Sequence, residues 1–110
     1  MDQKEIYDLL DSGWIYCESE PYFERSFFSH VKEKKKFGRG YFVKKTKSLF
    51  DRLVALGMPA NSEGYDKCVV MFLSMAGNKG SFHMLSLKES GEKGEEMLMK
   101  VSKDILAKGL

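Results

Sequence analysis

Lys67-Cys68-Val69-Val70-Met71-Phe72-Leu73-Ser74-Met75 runs through Ala76-Gly77-Asn78-Lys79-Gly80 into Ser81-Phe82-His83-Met84-Leu85-Ser86-Leu87-Lys88, and this stretch decides the fold. The block Cys68–Leu73 is apolar on both sides of a pleat, as a strand covered on two faces must be. The return run alternates: Phe82, Met84 and Ser86 fall on one side, and His83, Leu85 and Leu87 on the other. The five-residue, glycine-bearing connection Ala76–Gly80 predicts a hairpin loop. Residues 67-88 are therefore read as a β-hairpin.

Helical spacing brackets the hairpin. Downstream, a turn at Ser90–Gly94 leads into a helix over residues 92–108, with Met97, Leu98, Val101, Ile105 and Leu106 on one face. Glu92, Glu95 and Glu96 at its start and Lys100, Lys103 and Lys108 beyond them suit the helix dipole. Upstream, Leu49, Phe50, Leu53, Val54 and Leu56 predict a helix opened by Ser48 with Asp51 as its capping partner and closed by Gly57 and Pro59. The polar stretch 58–66 reads as a loop. Tyr41-Phe42-Val43 reads as a short strand or an extended connection. Phe23, Phe27, Phe28 and Val31 predict a helix entered at Pro21 and fraying into Lys34-Lys35-Lys36. Trp14–Cys17 reads as a strand, and Asp2–Asp11 as a helix with Ile6, Leu9 and Leu10 on one face, capped by Asp2 and ended by Gly13. The order predicts an α+β fold: a small antiparallel sheet of about three strands packed with three to four helices.

A chain of 110 residues fits a single compact domain spanning 1-110. With 43% apolar and 31% charged residues it has enough material for a core and is unlike a disordered chain. Two cysteines exclude a disulfide-dense scaffold. No apolar run reaches the roughly 18–20 residues a membrane helix needs, so no membrane span is expected. The opening Met1-Asp2-Gln3-Lys4-Glu5 lacks the basic-then-apolar layout of a secretion signal, and the expectation is a cytoplasmic protein with reduced thiols.

Charge is unevenly spread. Residues 1–31 carry two basic and seven acidic side chains, residues 32–55 nine basic and two acidic, and residues 56–110 seven of each. The two outlying segments either neutralise each other in the fold or present faces of opposite sign. Within residues 32–47 stand eight cations and three aromatics. Lysines neutralise phosphates with release of counterions, exposed rings stack on unpaired bases, and glycines let a backbone approach a phosphate. Lys34, Lys35, Lys36, Arg39, Tyr41, Lys44, Lys45 and Lys47 are accordingly the candidate anion-binding residues. The same run also fits a solvated face.

Chemistry beyond binding finds little footing. Cys17, Cys68, His30 and His83 contain no closely spaced ligand pair, so no metal or cofactor is expected. No elbow, anion nest or orienting acid accompanies either cysteine, and an enzyme is not expected. Met75 and Met84 flank the hairpin tip, where an exposed pair would suit a protein interface. The leading expectation is a non-enzymatic domain that grips nucleic acid. The partner is nucleic acid or an acidic protein surface; the rival readings are an inhibitor or adaptor that covers a partner's functional surface with the basic segment or the acidic N-terminal helix, and a homo-oligomeric sponge for a nucleotide. A homodimer is left open.

Overall fold

The computed structural model describes residues 1–87 and 92–109. Among them, the chain forms α1 (Gln3–Asp11), β1 (Trp14–Ser19), α2 (Phe23–Ser26), a 3₁₀ turn (Phe28–His30), β2 (Lys34–Phe37), β3 (Gly40–Lys44), α3 (Lys47–Ala55), α4 (Ser62–Lys67), β4 (Cys68–Ala76), β5 (Lys79–Ser86) and α5 (Glu92–Gly109). One five-stranded sheet has the order β2-β3-β1-β4-β5. The α+β class holds, but the sheet is larger than the three strands expected and is mixed. β1 pairs antiparallel with β3 and parallel with β4. The expected turn at Ser90–Gly94 and the final residue of the expected 67-88 hairpin lie wholly or partly outside the described residues.

Strand alternation divides the core in two. On the first face Ile15 and Cys17 of β1, Val43 of β3, and Cys68, Met71 and Leu73 of β4 pack under Phe23, Phe27, Phe28, Leu49, Leu53 and Tyr65, which come from α2, the 3₁₀ turn, α3 and α4. On the second face Tyr16, Phe42 and Val69 pack under Ile6 and Leu10 of α1 and Leu98, Val101 and Ile105 of α5. The chain crosses the first face by α3 and α4 to bring β4 parallel to β1. It returns by α5 across the second face to pack against α1. β1 is the strand buried on both sides at the sheet's centre, with Ile15, Tyr16 and Cys17 all sealed.

The end of α1 forms as its sequence directs. Asp2 accepts a hydrogen bond from the Glu5 backbone N–H at 2.8 Å, and Gly13 follows the helix at φ +91°. Other expectations are corrected. The helix over 21–36 is instead the four-residue α2 and a 3₁₀ turn. The backbone leaves helical geometry at Phe27 (φ −132°), which lets Phe27 and Phe28 enter one core without a continuous helix. Lys34–Phe37 then pairs with β3 as an edge strand, joined by a two-residue turn in which Gly38 takes φ +57°. The connection between β4 and β5 is likewise two residues, Gly77-Asn78, rather than five. Residues 62–67 are helical rather than loop, because Asn61 accepts from the Glu63 N–H and starts a turn.

The α3 cap is Thr46, not Ser48: the Thr46 hydroxyl accepts from the Leu49 N–H at 3.1 Å. Its carbonyl also accepts from the Tyr65 hydroxyl at 3.1 Å. Thr46→Ala is expected to cost about 1 kcal/mol of unfolding free energy, while Thr46→Ser stays close to the parent. Urea denaturation of the three proteins side by side checks this, and equal midpoints for parent and alanine variant would refute the capping role.

Candidate anion-binding surface

The basic segment does not fold into one patch. Alternation along β2 places Lys34 and Lys36 on the first face and Lys35 on the second. Lys34 Nζ donates to the Phe28 carbonyl at 2.6 Å and stands 5.6 Å from the Tyr41 ring centre. Lys36 Nζ stands 4.5 Å from that same ring centre. Lys35 Nζ lies 5.5 Å from the Trp14 ring centre on the opposite side. These cation–π contacts hold the ammonium groups on the strand without consuming their charge.

Tyr41 is committed to the fold. Its ring packs on Phe28 at 4.7 Å, and its hydroxyl is hydrogen-bonded to the Glu24 carboxylate. That bond, with some burial and the carboxylate's charge, holds the phenol above its ordinary pKa. Phe37 and Phe42 belong to the second face: Phe42 is sealed, and Phe37 packs against it and Tyr16. The three aromatics of the segment thus serve the two cores.

The remaining cations differ in availability. Arg39 is exposed at the tip of the β2–β3 turn. Lys44 pairs with Glu33 at 3.6 Å and Lys47 with Asp51 at 3.2 Å, both as exposed, weak pairs. Lys45 is half-buried, and its Nζ donates to the Asp66 carbonyl at 2.6 Å. Burial pulls its ammonium below the ordinary lysine pKa, partly countered by the nearby Cys68 and Asp66. Lys45 therefore anchors the β3–α3 corner to the end of α4.

Between the chain entering β2, the end of β3 and the start of α3 lies a cavity of about 480 Å³. Lys32, Lys44 and Arg52 line it, with Glu33 as its carboxylate and His30, Thr46 and Ser48 as neutral polar groups. The start of α3 adds its partial positive charge. Of the cavity's three cations only Lys44 stands among the candidates read from sequence; Lys32 and Arg52 do not. Arg52 stands one helical turn beyond Ser48, outside the window 32–47, though the charge count over 32–55 includes it. From sequence His30 reads as a possible metal ligand or a base for a cysteine, not as part of an anion site.

Charge separation persists in three dimensions. Among the described residues, the ion pairs of the basic segment, Lys44–Glu33 and Lys47–Asp51, are both local. Neither reaches the acidic residues 1–31; the Tyr41–Glu24 hydrogen bond does. Asp2, Glu5, Asp8 and Asp11 stay exposed on α1, which covers the second face, whereas the cationic cavity opens beside α3 on the first.

Cys17 and Cys68 are buried on adjacent strands of the first face, while His83 is exposed on the second and His30 is exposed at the end of the 3₁₀ turn. No group of three or more potential metal ligands occurs among the described residues. No described helix is long and apolar enough to cross a membrane. Compared with protein-family models, with curated proteins and with solved structures, the chain matches none.

Proposed function

We propose that the protein binds nucleic acid through phosphate contacts made by the β2–β3 hairpin and the adjoining cavity. The observation that carries this reading is a cavity lined by Lys32, Lys44 and Arg52, with Glu33 as its one carboxylate. Lys36 and Arg39 extend the positive surface along the hairpin to its tip, both with exposed side chains, while Lys35 stands exposed on the second face. Lys34 and Lys45 hold the hairpin and the α3 corner in place through backbone carbonyls, and Tyr41 braces the lysines rather than stacking on a base. Contacts of this kind read charge, not base identity, so binding is salt-steep and tolerant of sequence.

The test is a fluorescence titration of labelled single- and double-stranded oligonucleotides at a series of salt concentrations. Each phosphate contact on a duplex contributes about 0.9 to the slope of log affinity against log salt. The triple change Lys32→Glu, Lys44→Glu, Arg52→Glu is expected to weaken binding on every sequence alike and to flatten that slope by about 2.7. Lys36→Glu with Arg39→Glu is expected to act in the same direction. Absence of binding at low salt, or affinity indifferent to salt, would overturn the reading and turn attention to an acidic protein partner.

A further inference from the structure

The sheet's two edges are built on opposite plans. β2 sets Lys34, Lys35 and Lys36 in succession, so an antiparallel copy laid along it would put lysines against lysines. Charged edges of this kind block strand pairing. β5 has one lysine, at its turn end, followed by Gly80-Ser81-Phe82-His83-Met84-Leu85-Ser86.

The free part of that edge can be located residue by residue. The two-residue turn makes Ala76 and Lys79 a hydrogen-bonded pair, so Ser81, His83 and Leu85 also bond toward β4. The backbone groups of Gly80, Phe82, Met84 and Ser86 face the other way. Gly80 confirms the phase, because its N–H donates to the Leu56 carbonyl at 3.1 Å. Among the described residues, no backbone bond of this outward kind is made by Phe82, Met84 or Ser86. The open edge is thus centred on Met84. Large apolar side chains flank it: Met84 is 39% exposed, Leu85 41% and the neighbouring Phe72 39%.

We propose that two copies of this chain associate through β5, antiparallel, about a two-fold axis at Met84. In that register Met84 lies opposite Met84 of the partner subunit, and Phe82 lies opposite Ser86 of the partner subunit. Every outward backbone group left open between Phe82 and Ser86 then finds a partner. Leu85 meets His83 of the partner subunit on the second face, where the exposed Phe72 of each copy extends the apolar strip. Like charges do not meet at the axis, in contrast to what the β2 edge would produce. The result is a ten-stranded sheet with a basic hairpin at each end. This inference stands on the edge alone and not on the nucleic-acid reading.

Sedimentation of the full chain over a range of concentrations tests it. The parent is expected as a dimer, and Met84→Lys, which sets two ammonium groups at the axis, is expected to halve the mass while keeping the far-ultraviolet circular dichroism. Met84→Cys is expected to cross-link to its own copy under mild oxidation, since hydrogen-bonded antiparallel pairs bring Cα atoms to about 5.5 Å, within disulfide reach. The native Cys17 and Cys68 are buried and do not compete. Lys35→Cys, on the opposite edge, is expected to stay unlinked. A parent that remains monomeric leaves β5 to a strand of another protein and overturns the proposal, as does cross-linking at position 35 as fast as at 84.

Discussion

Gly40→Ala is expected to destabilise the fold by about 3 kcal/mol. Gly40 opens β3 and is buried beside β1. A Cβ there would drive into the Cys17 carbonyl oxygen and come to 2.9 Å from the Tyr16 ring. The first of these neighbours is backbone of the central strand and cannot swing aside. The second is held in place, because the Tyr16 hydroxyl donates to the Phe37 carbonyl at 2.8 Å, bridging the β2–β3 turn over Gly40. Relief of the clash therefore requires β1 and β3 to part or the Tyr16 hydrogen bond to break. Overpacking of this sort costs about 1–3 kcal/mol, and the hydrogen bond adds about 1 more. For a domain this small the melting temperature falls roughly 4–8 °C per kcal/mol. Gly64→Ala is the matched contrast. Gly64 sits in α4 with open space around its Cα and no positive φ, so the same methyl is expected to raise stability by about 0.5–1 kcal/mol. Urea denaturation of both variants reads the difference, and a Gly40→Ala protein as stable as its parent would show that the strands are not in the contact described.

The contrast between these glycines also marks where sequence reading reaches and where it stops. The hairpin is legible because its apolar runs are a local signal strong enough to mark both strands, while the two-residue turn that sets their register is not. The Lys34–Phe37 strand carries no such signal. Its extended form comes from the partner β3 and from a turn that needs only Gly38 at positive φ, so the spacing of Phe23, Phe27, Phe28 and Val31 is easily read as one long helix. The parallel pairing of β1 with β4 spans some fifty residues of chain and has no local mark at all. The same limit governs the candidate surface. A count of charges over 32–55 finds the cations, but strand alternation sends Lys35 to the opposite face from Lys34 and Lys36. The fold also ties Lys34 and Lys45 to backbone carbonyls, and helix periodicity brings Arg52 to the cavity from beyond the basic run.

Raising the pH above about 9 is expected to unfold the protein steeply. Tyr16, Cys17, Tyr65 and Cys68 are all 5% exposed or less and sit in the two cores. Burial, which disfavours the anion, pushes the Cys68 thiol up to about 11 and the Tyr16 phenol up to about 12. It lifts Cys17 and Tyr65 as well. In the unfolded chain these groups ionise near 9.0 for a thiol and 10.0 for a phenol. Between the unfolded and folded values the native state keeps protons that the unfolded state releases. Their contribution is complete below the unfolded pKa and is lost as pH climbs toward the folded one. Each retained proton removes about 1.4 kcal/mol per pH unit. The two thiols therefore take away about 2 kcal/mol between pH 9 and 10, and the phenols double the slope above 10. Lys45 acts in the opposite sense. Its folded pKa is lowered, so stability gains as pH rises through that window, but one group does not offset four. By pH 11 the four groups together take away about 8 kcal/mol, comparable to the total stability of about 5–15 kcal/mol that a domain has. Urea midpoints under reducing conditions from neutral to alkaline pH, followed together with tyrosinate absorbance, provide the measurement. Cys17→Ala with Cys68→Ala is expected to remove the first part of the slope and leave the second. A stability that stays level through pH 11 would mean that the four groups ionise without unfolding, and that the cores around Tyr16 and Cys68 admit water.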